Sequence, residues 1–285
     1  MKTVLKWLGR AALALILLLV VALGVVYAVS ERTLRRTFDV PVTEFAILIP
    51  DDSASIAEGG RLARILGCYN GCHGSEVQGE VFMDDFLFGT IKSPDLTRLV
   101  ATLSPGELAR VIRLGVRVNG ESVLVMPASS FYHLADEDLG SILAFLKSLP
   151  PSDGPDTSVR LGPLGRTFLA LGQFSPVVED IDTEAPRLDA GDGSDPVQLG
   201  RYLAMTSCTE CHGPDLQGVD GPAFTTPGLA IARAYTIDHF QTLMATGVPI
   251  GGRQLDLMAR MSRKRFSHFT ETEVEAIHAF LLDEF

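Results

Sequence analysis

Positive charge is in short supply in this chain of 285 residues: 24 lysines and arginines stand against 35 aspartates and glutamates, a formal net charge of −11. The deficit argues against nucleic-acid binding, which needs a basic face. It suits a soluble portion that meets a partner through complementary charge. Strand signals are sparse, so the chain reads as mostly helical with long irregular segments. Cysteine is scarce as well, with four residues in two pairs about 140 positions apart, Cys68 with Cys72 and Cys208 with Cys211. Long charge-free apolar runs are limited to one place.

That place is Ala11 to Val29, which holds no charged residue and one polar group, the Tyr27 hydroxyl. At about 1.5 Å per residue it gives roughly 28 Å of helix, enough to cross a hydrocarbon core. Lys2, Lys6 and Arg10 precede it, as in a signal peptide or a signal anchor. The run exceeds the usual signal-peptide core of about 7–15 residues, which favours an uncleaved anchor, although Ala28-Val29-Ser30 offers a weak cleavage site. Trp7 reads as an interfacial anchor. Charge alone leaves the orientation open, because Arg32, Arg35 and Arg36 follow the span.

The rest of the chain repeats itself. Gly60-Arg61-Leu62 precedes Cys68 as Gly200-Arg201-Tyr202 precedes Cys208. His73-Gly74 leads to Gln78-Gly79, and His212-Gly213 leads to Gln217-Gly218 at the same spacing. Phe131-Tyr132-His133-Leu134 precedes an acidic helix start and the run Leu139, Ile142, Leu143, Leu146. Phe266-Ser267-His268-Phe269 likewise precedes Val274, Ile277, Phe280, Leu281. Such three- and four-residue steps mark amphipathic helices, with acids well placed in the first turn. Between the units, the stretch 150–195 is rich in Pro, Gly and Asp and reads as a linker, with a short helix over Leu164–Leu169 packed on a domain.

Cys208-Thr209-Glu210-Cys211-His212 is the C-x-x-C-H pattern of covalent haem attachment. Each thiol adds to a haem vinyl group, and the following histidine supplies the proximal nitrogen to iron. A helical turn over this spacing puts both sulfurs at one haem edge and the imidazole under the metal. A zinc site would need two further Cys or His ligands, and a thioredoxin-like pair would sit in a βαβ context; neither is visible. Cys68-Tyr69-Asn70-Gly71-Cys72-His73 has one more residue between its cysteines. The repeat and the retained His73 argue for haem here too, with Gly71 letting the longer loop bulge. Attachment through one thioether, or a degenerate unit with a disulfide, stays open.

A sixth iron ligand from methionine gives an electron-transfer site of raised potential. Met126-Pro127 is well placed in the first unit, with Pro127 holding the chain extended. Met83 is the alternative there, without a counterpart in the second unit. In the second unit the spacing from Gly247 selects Met258, whereas counting back from Phe266 selects Met261. Met258 is favoured because a glycine turn immediately upstream sets where the loop enters, and Met261 is the second choice. Met244 follows Phe240 and Leu243 at helical spacing and reads as core. His133, His268, His239 and His278 read as packing or capping residues.

These residues resemble the class I cytochrome c family. The resemblance covers about residues 55–150 and 196–285 and rests on Cys-x-x-Cys-His-Gly at 208–213 and its variant at 68–74. Lys92-Ser93-Pro94-Asp95-Leu96-Thr97, Met126-Pro127 and the terminal helices ending Ala144-Phe145-Leu146 and Ala279-Phe280-Leu281 support it. The tandem arrangement is similar to the membrane-anchored cytochromes of bacterial dehydrogenases and respiratory chains, although those often carry three units. The sequence departs from the pattern in the expanded first motif and in lacking Pro after Met258 or Met261.

The resemblance implies an all-α fold of two tandem helical domains after an N-terminal transmembrane helix. The parts would be an anchor (1–30), a linker (31–54), a first domain (55–150), a linker with a short helix (151–195) and a second domain (196–285). Gly60 and Gly200 would lie where the first and last helices of each domain cross, against Phe145 and Phe280. Two covalently bound haems c are implied, with Cys68, Cys72, Cys208 and Cys211 attaching them and iron held by His73 with Met126 and His212 with Met258. The expected protein is an electron carrier rather than an enzyme, single-pass in a bacterial cytoplasmic membrane with its haem domains in the periplasm. Its partners would be redox proteins such as a dehydrogenase, a quinol-oxidising complex or a terminal oxidase. The competing expectations are a dihaem peroxidase-type enzyme, which needs an open sixth position on one haem, and a haem-bearing sensor or subunit of an oxidase or dehydrogenase complex.

Overall fold

A computed structural model describes residues 2–40, 47–154, 158–221 and 224–285, so parts of both expected linkers lie outside the described residues. Helix α1 (Lys2–Leu34) is long and apolar enough to cross a membrane by length and composition, and its side chains are almost wholly exposed. It runs four residues beyond the expected anchor. Glu31 and Arg35 bridge successive turns at 2.6 Å and carry the helix past the apolar run.

The first helical unit comprises α2 (Ser53–Ile65), α3 (Leu96–Thr102), α4 (Pro105–Leu114), α5 (Ala128–Phe131) and α6 (Asp136–Ser148). Asp52 caps α2, Asp95 caps α3, and Ser104 with Glu107 forms a capping box on α4. Then comes α7 (Pro163–Ala170), followed by the second unit: α8 (Pro196–Ser207), α9 (Thr209–His212), α10 (Ile237–Thr246), α11 (Asp256–Lys264) and α12 (Glu271–Glu284). Thr270 and Glu273 form a second capping box on α12. Each unit has its own core: Leu62, Leu108, Phe131, Leu139 and Leu143 in the first, and Tyr202, Leu203, Phe240, Ile277 and Phe280 in the second.

The first and last helices of each unit cross at a glycine. A Cβ on Gly200 of α8 would lie 1.9 Å from the Ala276 carbonyl oxygen of α12, and one on Gly59 of α2 would lie 1.8 Å from the Ser141 oxygen of α6. This corrects the expected register by one residue. Gly60 faces the Phe145 ring at 3.0 Å, as expected, but Gly59 makes the backbone-to-backbone contact equivalent to that of Gly200.

The molecule is mainly helical, with a small sheet that the sequence pattern does not reveal. Strands β1 (Val81–Asp85) and β2 (Gly89–Lys92) form a hairpin after the first motif. From the linker, β3 (Ser158–Leu161) joins as the third antiparallel strand, in the order β1-β2-β3. Asp85 turns the hairpin by accepting from the Leu87 and Phe88 amides, both at 2.8 Å. Among the described residues, the second unit has only the two-residue strands β4 (Val219–Asp220) and β5 (Thr225–Thr226) at the same place. The expected linker helix is α7. It packs on the C-terminal end of α1, with Arg166 donating to Ser30 and Glu31, and on the hairpin of the first unit, where the Leu164 amide donates to Leu87 O at 2.9 Å and the Phe168 ring meets Phe88.

Candidate functional site: two cysteine–histidine motifs

In the second motif α8 leads into the single turn α9. The His212 amide donates to Cys208 O at 2.9 Å and the Cys211 amide to the same oxygen at 3.1 Å, so both cysteines and the imidazole share one helical turn. Gly213 (φ 83°) ends the turn, and the Gly218 amide donates back to His212 O at 2.7 Å. The His212 Nδ1 lies 2.9 Å from the Pro227 carbonyl oxygen. A carbonyl only accepts, so Nδ1 carries the proton and Nε2 presents its lone pair. Burial lowers the His212 pKa and favours this neutral, ligating form, against a smaller opposite effect of the Pro227 bond.

The first motif reproduces this frame. The His73 Nδ1 lies 3.0 Å from the Pro94 carbonyl oxygen, and burial again lowers the pKa. The Gly79 amide donates to His73 O at 2.8 Å, and Gly74 takes φ 86°. Val77 (φ 52°) and Leu216 (φ 57°) adopt the left-handed conformation, rare for such residues, at corresponding places. Their carbonyls accept from the Leu96 amide at 2.9 Å and the Leu229 amide at 2.8 Å. Gly79 and Gly218 face the backbone around Pro94 and Pro227, where a Cβ would fall within 2.8 Å of each proline carbonyl carbon.

The expansion of the first motif lies upstream of this frame. Fourteen positions separate Gly59 from His73 (73 − 59) and twelve separate Gly200 from His212 (212 − 200), so two extra residues are accommodated rather than one. Helix α2 stops at Ile65, Gly67 (φ 77°) and Asn70 (φ 56°) turn the chain, and the Cys72 amide donates to Gly67 O at 2.9 Å. A Cβ on Gly71 would sit 2.2 Å from that same oxygen, so glycine alone permits the fold-back. Cys72-His73-Gly74 therefore enters the frame in register.

All four cysteines are free. Burial pushes the Cys68 thiol up to about 12 and Cys211 up to about 11, and raises Cys72 and Cys208 as well. These are protonated thiols, unlike the depressed nucleophile of a C-x-x-C redox pair. No group of three or more His, Cys, Asp or Glu gathers among the described residues, whereas structural zinc takes four ligands.

Met126 is half-buried against the first core, and Pro127 caps α5 (ψ 59°) rather than extending the loop. Met258 and Met261 lie one turn apart on α11, both half-buried against the second core. The Met261 sulfur lies 3.9 Å from Arg265 Nη1. Met244 is core, and Met83 lies on β1. The other histidines serve packing: His278 stacks on Phe240 and bonds Tyr235 O, His239 meets the Thr236 hydroxyl, and His133 accepts from the Leu188 amide.

The two units meet reciprocally. Tyr202, two residues past Gly200, donates to Asp138, the third residue of α6, and accepts from the Ala135 amide at 3.1 Å. Arg61, two residues past Gly59, grips both oxygens of Glu273, the third residue of α12, at 2.7 and 2.8 Å. Ser130, just before Phe131, reaches Thr209 Oγ1 at 2.7 Å. Arg265, just before Phe266, donates from Nε to Ile65 O and from Nη1 to Glu210, both at 2.8 Å. Its charge acts on all four thiols, so the cysteine motifs converge on one buried guanidinium.

Sequence reasoning missed Arg265, Glu210 and the histidine-holding role of the proline carbonyls. The Ser93-Pro94 and Thr226-Pro227 dipeptides were a usable signal. The β1–β2 hairpin masks it by making the histidine-to-proline spacings unequal.

Residues 197–283 match the family model described as cytochrome c. A search of curated proteins finds no match. A cytochrome c domain binds covalently attached haem and implies haem-based electron transfer, and His212 with Cys208 and Cys211 lies inside the matched span.

Proposed function

We propose that the protein is a membrane-tethered electron carrier with two covalently attached haems, one in each of the units 55–150 and 196–285. The observation that carries the reading is the recurrence, around His73 and His212, of one frame in which Nδ1 donates to a proline carbonyl and leaves Nε2 for iron. Cys68 and Cys72 would hold the first haem and Cys208 and Cys211 the second, by adding thiol S–H across the vinyl groups. Bound haem supplies one-electron iron chemistry. The chain supplies the neutral imidazole, the attachment points and an apolar lining. Val118 and Ile250, placed after the helix-capping glycines Gly115 and Gly247, are 52% and 43% exposed in the protein alone and give each unit apolar surface to offer the cofactor.

Met126 and Met258 complete the ligand sets. The Met261 sulfur is engaged by Arg265, which favours Met258. Helix α1 anchors the chain in a bacterial cytoplasmic membrane with the haem units in the periplasm. There they exchange electrons with a dehydrogenase, a quinol-oxidising complex or a terminal oxidase. A mass spectrum and haem-to-protein ratio of the purified chain test the central point: two haems are expected, and one overturns the first site. Met258→Ala should remove one Met–Fe(III) absorption band; loss in Met261→Ala instead reverses the ligand choice. A high-spin fraction that turns over peroxide would replace the carrier with an enzyme.

A further inference from the structure

A cavity of about 380 Å³ opens where α1 meets the rest of the molecule. Its wall combines Tyr27, Glu31 and Arg35 of α1 with Arg117 and Glu121 from the loop after α4, Arg160 of β3 and Arg166 of α7. Four arginines face two glutamates in a chain whose net charge is −11. Glu31 is already shared, by Arg35 at 2.6 Å and Arg166 at 3.0 Å. The guanidinium groups of Arg117 and Arg160 make no hydrogen bond or ion pair among the described residues. Burial pushes the Arg117 pKa down, and the only charge acting to raise it is that of Glu121. Arg117 is half-buried and Arg160 exposed, so the wall presents guanidinium donors to an anion that enters the cavity.

The position of the cavity identifies that anion. The charge-free run of α1 ends at Val29, so Glu31 and Arg35 stand at the level of lipid headgroups, with the Tyr27 ring one turn deeper beneath Arg166 at 4.3 Å. The guanidinium fork matches phosphate oxygens in pairs. The volume lies in the range of small-ligand sites, about 300–1,000 Å³. We propose that this cavity binds the phosphodiester headgroup of an anionic membrane phospholipid through Arg117 and Arg160. The net positive wall selects against a headgroup that carries its own cation. This rests on α1 being retained as the tether.

The test uses the full-length, haem-loaded protein in neutral detergent, with its thermal unfolding midpoint followed as ligand is added. The three probes are short-chain phosphatidylglycerol, short-chain phosphatidylcholine and inorganic phosphate. Phosphatidylglycerol should raise the midpoint at concentrations at least tenfold below those of the other two. Arg117→Gln/Arg160→Gln should lose that tenfold preference, and Arg36→Gln, whose partner Glu179 lies outside the cavity wall, should keep it. If the double variant does not fold, Arg160→Gln alone tests the same point, because Arg160 is exposed and makes no bond that its loss would break. Equal potency of inorganic phosphate assigns the site to a free anion and overturns the lipid. Equal potency of phosphatidylcholine overturns the charge selection, and no response, or an unchanged response in the variants, overturns the site. Failure of the tether itself is distinguishable, since the purified chain would then have the mass of a form lacking α1.

Discussion

Arg265 is 6% exposed, with Glu210 and the Ile65 carbonyl as partners of its guanidinium and cysteines of both motifs within its field. A fixed positive charge in a low-dielectric interior disfavours the extra charge of an oxidised iron, and so raises the potential. For the two haems proposed above, Arg265→Gln is therefore expected to lower both midpoint potentials, read by spectroelectrochemical titration, because it also leaves Glu210 uncompensated. Adding Glu210→Gln should recover part of the loss, which mere damage to packing would not do. Movement of one haem alone, or of neither, sinks the idea. In sequence Arg265 closes the run Arg263-Lys264-Arg265 and reads as a solvated charge; only the docking of a second unit buries it. The Cys-x-x-Cys-His pattern at 208–212, inside the matched span, needed no such context, because it is carried by adjacent residues.

At the scale of elements, the terminal helices were legible because their apolar residues recur at helical steps and acids mark their starts. The sheet was not, since β1, β2 and β3 have five, four and four residues, and β3 comes from a stretch whose composition reads as linker. The repeat placed the crossing glycine one residue late. Gly59-Gly60 is a pair, and sequence alignment matched the Gly-Arg dipeptide, whereas packing matches the glycine that lets backbones touch. Gly59→Ala and Gly200→Ala must each force α2 from α6, or α8 from α12, and should cost roughly 2–3 kcal/mol, as overpacking does. Gly60→Ala meets side chains rather than backbone, the Phe145 ring at 3.0 Å and Arg64 Nη1 at 3.4 Å, and should cost less. Denaturant unfolding of the three variants decides the register; equal losses at Gly59 and Gly60 would refute it.

For the whole molecule, the repeat in the sequence announced two units but not how they meet, because interface partners have no sequence spacing to betray them. The reciprocal contacts are chemically unequal: Arg61 grips Glu273 in one, and a tyrosine hydroxyl donates to Asp138 in the other. Burial raises the Asp138 pKa, with Glu58 and Glu273 adding repulsion and Tyr202 and Arg61 opposing it. A carboxyl whose folded-state pKa lies above its unfolded value gives stability that is complete below the unfolded value, about 3.9, and is lost as pH rises through the folded one. The ionised Asp138 thus weakens the interface at neutral pH. Asp138→Asn keeps an oxygen to accept from Tyr202 without the charge, and should raise the unfolding midpoint at pH 7. That gain should shrink toward zero as pH falls below the ordinary carboxylate range, whereas Tyr202→Phe, which removes the donor, should be destabilising at neutral pH. Calorimetry of the three proteins across pH 3–7 tests this. A gain from Asp138→Asn that is independent of pH would show that the buried charge at this seam is not what limits the docking of the two units.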